Sequence, residues 1–421
     1  MEPPLPAGPL SLPNVGSSAT DLDPIETAAG EAVPATRRLA AIGWASFVLL
    51  GWAGLLIPSL FRSVKSDFAL TDSAIGTFYL VNAIFYAIGS FGGGLLTERI
   101  GRRPVLSTAA VVLGIGLALE ATAPTWTVFL IAGVPAGLGA GIIDGGMNGL
   151  ILDLFRRRPG GALNLLHLGF SVGAATAPIV IGQLVGAGAD WRAIILATAA
   201  SALMIGILLG LHHMPTGRHV KSDSPDTGNR YARVSVIPLV ALALAIGFYV
   251  SSEIGVSSWL VRFLDSASND VATTALGLFW GGLAASRLLA ARVADRFPPV
   301  AFAGACAFAA GAALVGAVAV PSLPASIALF VLSGFFFGPV YPMIMAIAGA
   351  LYPNRIAAVT GTLAGSAVVG GIIYPPLMGL ISDQAGIAVA MYGACLLAFA
   401  CAGALAVAGA GARRLAAAAA A

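Results

Sequence analysis

The sequence predicts an all-α membrane protein: twelve transmembrane helices in two pseudo-symmetric six-helix bundles. The first observation behind this is composition, since 58% of the 421 residues are apolar and 10% charged, with a mean hydropathy of +0.91, where a soluble domain has about 25% charge. That leaves too little polar surface to keep a folded chain of this size in water, which excludes a soluble enzyme. A net charge of +3 is too small for a phosphate-tracking surface, so no nucleic-acid partner is expected. The second observation is a succession of apolar stretches that can each cross a hydrocarbon core of about 30 Å, which takes ~20 helical residues. The third is where the basic residues fall.

Residues 1–36 are rich in Pro, Ser, Ala and Gly and carry Glu2, Asp21, Asp23, Glu26 and Glu31 with no basic residue. Such a segment buries too little to order itself, and a signal peptide would open on a basic region, so a disordered acidic tail is expected. The first bundle, 37–213, holds apolar segments at 39–61, 72–97, 104–122, 125–154, 161–188 and 191–213. Residues 214–234 form a polar linker. The second bundle, 235–412, holds segments at 235–264, 272–295, 299–320, 323–352, 355–384 and 386–410, and 413–421 is a short tail.

With both termini cytoplasmic, seventeen of the 22 Lys and Arg residues lie on the inner side, Arg62, Lys65, Arg192 and Arg262 lie outside, and Arg287 is left within a helix. That asymmetry is what the positive-inside rule requires of a multi-pass protein of the cell's inner membrane. A shift of 197 residues superposes Glu98-Arg99 on Asp295-Arg296, Pro124 on Pro321, Pro178 on Pro375 and Gly137 on Gly334. Two parallel six-helix halves related about the membrane normal follow from this repeat. Cys306, Cys395 and Cys401 lie in apolar runs without metal-ligand spacing and read as small core residues.

The turn after the second segment reads Gly94-Leu-Leu-Thr-Glu98-Arg99-Ile-Gly101-Arg102-Arg103. Its glycines allow close helix approach and its arginines hold the loop on the cytoplasmic side. The stretch resembles the Gly-x-x-x-Asp-Arg-x-Gly-Arg-Arg motif of the major facilitator superfamily, with Glu98 in the usual Asp position. A degenerate second copy keeps Asp295-Arg296. The resemblance implies a secondary transporter in which this element latches the cytoplasmic faces of the halves in one state; without it, the stretch is simply a topogenic basic loop.

Asp144 and Glu253 lie well inside helices, where a charge costs at least ~2.5–3.5 kcal/mol on insertion scales. A water-filled transport cavity offsets that cost, and an acid there can take up and release a proton as its solvation changes. Both acids are therefore candidate proton-coupling residues. Asn148 follows Asp144 at i+4 and shares its face. Tyr249, Glu253 and Ser257 share another, and Arg287 is a candidate charge-neutralising partner for one acid. Asn164 and His167 face one way in the fifth segment, where His167 is a candidate proton relay or hydrogen-bond donor. For each, the alternative is a structural hydrogen bond between helices.

Asp144 with Asn148, Asn164-Leu-Leu-His167, Gly173-Ala174, Pro178, Glu253 with Trp259, and Gly338-Pro339-Val340-Tyr341-Pro342 resemble the fucose permease-like and sodium-dependent glucose transporter-like sugar carriers. The resemblance implies proton coupling and substrate contact at Asp144. Fucose permease-type proteins also carry an acid in the first segment, and residues 39–61 hold none. Either Glu253 supplies the second carboxylate, or coupling differs, or the protein is a uniporter. A sugar offers hydroxyls and an apolar ring face, so Trp259, Trp280 and Tyr341 join Asn148, Asn164, His167 and Tyr249 as candidate contacts.

The expectation is alternating-access symport of a sugar or polyol with a proton, or else sodium, by a monomer in the lipid bilayer. No cofactor or metal is expected. An efflux antiporter for amphipathic compounds and a non-transporting membrane sensor are the alternatives. No nucleophile–base or metal constellation occurs to suggest an enzyme.

Overall fold

The computed structural model of the protein describes residues 33–155, 159–214, 236–352 and 356–420. Residues 1–32 of the acidic tail, linker residues 215–234, Arg156 to Arg158, Arg355 and the side chain of Asp295 lie outside the described residues. Among the described residues, fifteen α-helices build twelve spans. The first half comprises α1 (Val33–Gly54), α2 (Leu56–Ser59), α3 (Phe61–Asp67), α4 (Asp72–Ile100), α5 (Arg102–Thr122), α6 (Trp126–Leu154), α7 (Pro159–Gly186) and α8 (Trp191–Leu211). The second comprises α9 (Val236–Phe263), α10 (Asn269–Val293), a 3₁₀ turn (Ala294–Arg296), α11 (Pro299–Ala319), α12 (Leu323–Phe337), α13 (Val340–Leu351), α14 (Ile356–Ala385) and α15 (Ile387–Ala420). Among the described residues, ten helical segments are long and apolar enough to cross a membrane. The remaining two spans are the broken α1–α3 and α10, which carries Asp270, Arg287 and Arg292.

Two spans that read as single segments in the sequence are interrupted. The first bends at Leu55 and Leu60 around Pro58, and the tenth breaks between α12 and α13 at Gly338-Pro339, because proline has no N–H to continue the ladder. The helical ends also run further than expected. The first helix starts at Val33, and the last continues through Arg413 and Arg414 to Ala420 in place of a separate tail, as an alanine-rich end favours.

The repeat survives in the fold. Helices α10, α11, α12 and α14 each start 197 residues after α4, α5, α6 and α7. Within the first half α4 and α5 pack on α6, α5 on α8, and α1 on α7; the second half repeats this with α10 and α11 on α12, α11 on α15, and α9 on α14. The halves meet along two symmetry-related seams, α7 against α10 and α4 against α14.

Small residues set these distances. A Cβ on Gly51 would overlap the Phe170 carbonyl and one on Gly173 the Val48 carbonyl, so α1 and α7 lie backbone to backbone. At the seam, a Cβ on Gly182 would overlap Thr273.

Candidate functional site

Glycine packing also builds the first wall of the site. Gly141 and Gly145 of α6 let the Tyr86 and Ser90 carbonyls of α4 approach so closely that a Cβ would overlap them. That approach carries the Ser90 hydroxyl to Asp144, where it donates to Oδ2 at 3.3 Å. It also brings the Tyr86 hydroxyl within reach of the same carboxylate. Asn148 donates from Nδ2 to the Asp144 carbonyl at 2.9 Å and to Oδ1 at 3.4 Å, as the i, i+4 spacing predicts, and its own buried Oδ1 has no partner. His167 of α7 is exposed, stands edge-on to Phe47 of α1 at 5.3 Å between ring centroids, and lies within electrostatic range of Asp144. Asn164 is exposed one turn earlier on α7.

The second wall comes from α9, α10 and α13. Glu253 is 5% exposed, its Oε1 stands 3.9 Å from Nη2 of Arg287, and that oxygen has no hydrogen-bond partner. Arg287 donates from Nε to the Gly338 carbonyl at the α12–α13 break, at 3.3 Å. The buried Tyr249 hydroxyl, also unpartnered, lies next to Glu253 and Arg287. Tyr341 feels the charges of Asp144, Glu253 and Arg287 together, so it sits between the walls. Arg287 likewise acts on His167 across them. The structure thus brings Asp144, Asn148, His167, Tyr249, Glu253, Arg287 and Tyr341, from both halves, into one polar cluster.

The two tryptophans stand differently. Trp259 is fully buried; its indole N–H donates to the Pro375 carbonyl at 2.9 Å, and it packs edge-on to Phe61 and Tyr79. Trp280 is 3% exposed, donates to the Ser257 hydroxyl at 2.8 Å and meets Phe170 across the seam at 5.9 Å. Both join helices rather than presenting a free ring face.

Beyond the polar cluster, at the end bearing the α3–α4 turn, the halves are tied by charge. Asp72 is 1% exposed and accepts from Lys65 of its own half, from Arg262 Nε of α9 at 2.9 Å and from Ser382 of α14 at 2.6 Å. Asp383 caps the start of α4 from the other half, accepting the backbone N–H groups of Asp72 at 3.0 Å and Ser73 at 2.8 Å. Arg62 reaches across to the carbonyls of Leu264 at 2.7 Å and Ala267 at 2.8 Å, at the negative end of α9. Spacing along the sequence gives Arg62 and Arg262 only a topological role, because it cannot reveal partners more than 180 residues away.

At the opposite end Gly101 adopts φ 99°, which glycine tolerates at a helix terminus. Arg102 is buried against Asp153 of α6, and Arg103 donates to the Gly210 carbonyl of α8 at 2.7 Å. Both arginines therefore bind within the first half. Gly94 lies in the last turns of α4, while Glu98, Arg99 and, in the second copy, Arg296 are exposed.

Comparison with known proteins agrees with this architecture. The chain is 24% identical over 364 residues to the gentisate transporter of Corynebacterium glutamicum, covering 82% of this chain and 81% of that one. It is 24% identical over 283 residues to sodium-dependent glucose transporter 1A of Mus musculus, covering 59% and 67%. A bacterial homolog of the human lysosomal transporter Spinster superposes with a TM-score of 0.72 at 16% identity, over 91% of this chain and 97% of the other. The Major Facilitator Superfamily profile matches residues 39–299 and 244–415, and with two six-helix halves that share one polar cluster the chain belongs to that superfamily of membrane transporters.

Proposed function

We propose that the protein is a proton-coupled symporter that moves a small hydroxylated solute, a sugar or polyol, by alternating access through the cleft between its halves. The carrying observation is that each half contributes one intramembrane carboxylate to the polar cluster, Asp144 beside hydroxyls, an amide and His167, and Glu253 beside Arg287. Carboxylates kept at such cost mark an ion or proton path. The hydroxyl, amide and imidazole groups around them match a solute rich in hydroxyls. Relatives named for gentisate and for glucose support a small organic solute.

In this reading the α3–α4 end faces outward and is closed, and the basic α4–α5 end faces the cytoplasm in a cell membrane. The molecule works as a monomer with no cofactor. Substrate and proton together drive the switch because they bind the two conformations unequally.

Proteoliposomes holding the purified protein and an internal pH dye test this directly. Addition of hexoses, pentoses and polyols under an inward proton gradient should acidify the interior for at least one of them. Silence across hydroxylated solutes of every charge type would sink the reading.

A further inference from the structure

We propose that the solute is a hydroxylated monocarboxylate whose carboxylate docks on Arg287, and that a proton on Glu253 releases the guanidinium to receive it. The proposal rests on the transporter reading above and adds the charge of the solute and the order of events.

Arg287 is the single basic residue that the charge distribution leaves inside a predicted span, and its side chain is 32% exposed. Among the described residues its one well-formed hydrogen bond runs from Nε to the Gly338 carbonyl, with the Tyr249 hydroxyl close by. The 3.9 Å gap to Glu253 is an ion pair without a hydrogen bond. Among the described residues Glu253 Oε1 and the Tyr249 hydroxyl, both more than nine-tenths buried, make no hydrogen bond of good geometry, although the hydroxyl lies within reach of Glu253 and Arg287. A donor fork, an acceptor and a hydroxyl thus lie together with bonding capacity left over, which is costly for buried groups. A carboxylate completes the set, because its two oxygens match the guanidinium fork and it accepts from the tyrosine.

The opposite wall selects the other end of the solute. Ionised Asp144 accepts hydrogen bonds only and repels an anion, whereas solute hydroxyls can donate to it and accept from Ser90 and Asn148. The site therefore reads charge on the second half and hydroxyls on the first, as a sugar acid or a hydroxybenzoate would present them.

Charge conservation gives the coupling. Arg287 and ionised Glu253 sum to zero, and adding an anion alone would leave an uncompensated charge in a poorly solvated site. Proton transfer to Glu253 from water frees Arg287, and the site is neutral again once the carboxylate binds. The other titratable groups acting on Glu253 are Tyr249 on its own helix and Tyr341 of α13, which also feels Asp144; Tyr374 and Cys395 lie on α14 and α15, which pack against the same helix. Tyr374 and Cys395 are committed to the Ala390 and Met391 carbonyls. Arg262, near the end of α9, and Arg62, bonded just beyond it, lie more than two turns from Glu253 along the helix. One proton per anion and no net charge moved are expected.

Full-length protein in proteoliposomes is offered gluconate, glucuronate and salicylate, each against the neutral glucose, mannitol and salicyl alcohol. At least one carboxylate should drive proton entry at a rate indifferent to a clamped membrane potential. Arg287→Gln and Arg287→Lys should lower that rate by about tenfold or more, the factor for a lost charge-assisted pair. Glu253→Gln should retain anion exchange yet lose proton-driven accumulation. A thermal shift of the wild-type protein by the carboxylates and not by their neutral counterparts provides a readout independent of any variant's folding. Proton-coupled uptake of neutral solutes alone overturns this proposal and leaves the symporter reading standing. Wild-type carboxylate uptake by Arg287→Gln, or uptake that follows the membrane potential, overturns it as well, and no uptake of either class overturns both.

Discussion

Asp144 shows how one side chain acquires its chemistry. The i, i+4 relation to Asn148 is a local property of a helix and was legible directly. Tyr86 and Ser90 were not, since they belong to α4 and reach the carboxylate only because Gly141 and Gly145 let two backbones touch. Replacing Asp144 with Asn keeps the size but removes the carboxylate that accepts from Ser90. With that acceptor for solute hydroxyls gone, the solute concentration for half-maximal uptake should rise by about tenfold while the number of protons taken up per solute stays the same, measured as paired solute and proton uptake in the same vesicles. Unchanged apparent affinity would refute a contact role for Asp144. Trp259 carries the opposite lesson: an aromatic beside an intramembrane acid looked available for stacking, yet its ring is consumed by Phe61, Tyr79 and the Pro375 carbonyl. Trp259→Phe should cost about 1–3 kcal/mol, as expected when a buried acceptor loses its donor, read as a lower thermal midpoint in detergent with substrate affinity little changed.

At the scale of helices, the design is close approach bought by small residues and interruption by proline. The α1–α7 contact depends on Gly51 and Gly173 meeting the Phe170 and Val48 carbonyls. Gly173→Leu forces the two backbones apart, and overpacking of this kind costs typically about 1–3 kcal/mol or more. Loss of a monodisperse peak on size-exclusion chromatography, or a markedly lower unfolding temperature, is the expected outcome; a variant with normal stability would mean that α1 and α7 can separate without penalty. The break between α12 and α13 serves the site, because the Gly338 carbonyl is where Arg287 anchors its Nε. Sequence periodicity located the span but not the break's consequence, since the arginine lies 51 residues away.

For the whole molecule, the alternating-access proposal makes the α3–α4 end, where charges tie the halves together, the part that must come apart. Asp72 is its hub, a carboxylate 1% exposed that holds one cation from each half. Removing one partner of a buried ion pair costs about 3–5 kcal/mol, and here that loss falls on the closed arrangement rather than on either half alone. Asp72→Asn should therefore shift the population toward opening at this end. A cysteine introduced by Phe170→Cys, beside Trp280 at the seam, should then react faster with an impermeant thiol reagent added from the α3–α4 side. Unchanged labelling in the Asp72→Asn background would show that the seams of α7 with α10 and α4 with α14 hold the end shut without the ion pairs.

By itself the sequence determined the class, the number of spans, the twofold repeat and the residues expensive enough to need a function, because hydropathy, charge placement and helical spacing are local or additive properties of a chain in a bilayer. It also located Arg287 and Glu253 as charges that had to be answered. Only the tertiary structure decided what answers them. The Glu253–Arg287 pair, the Ser90–Asp144 bond and the contacts of Asp72 and Ser73 with the second half join residues 34 to 311 positions apart. Their partners are set by which backbones glycine lets approach and by how the two halves meet.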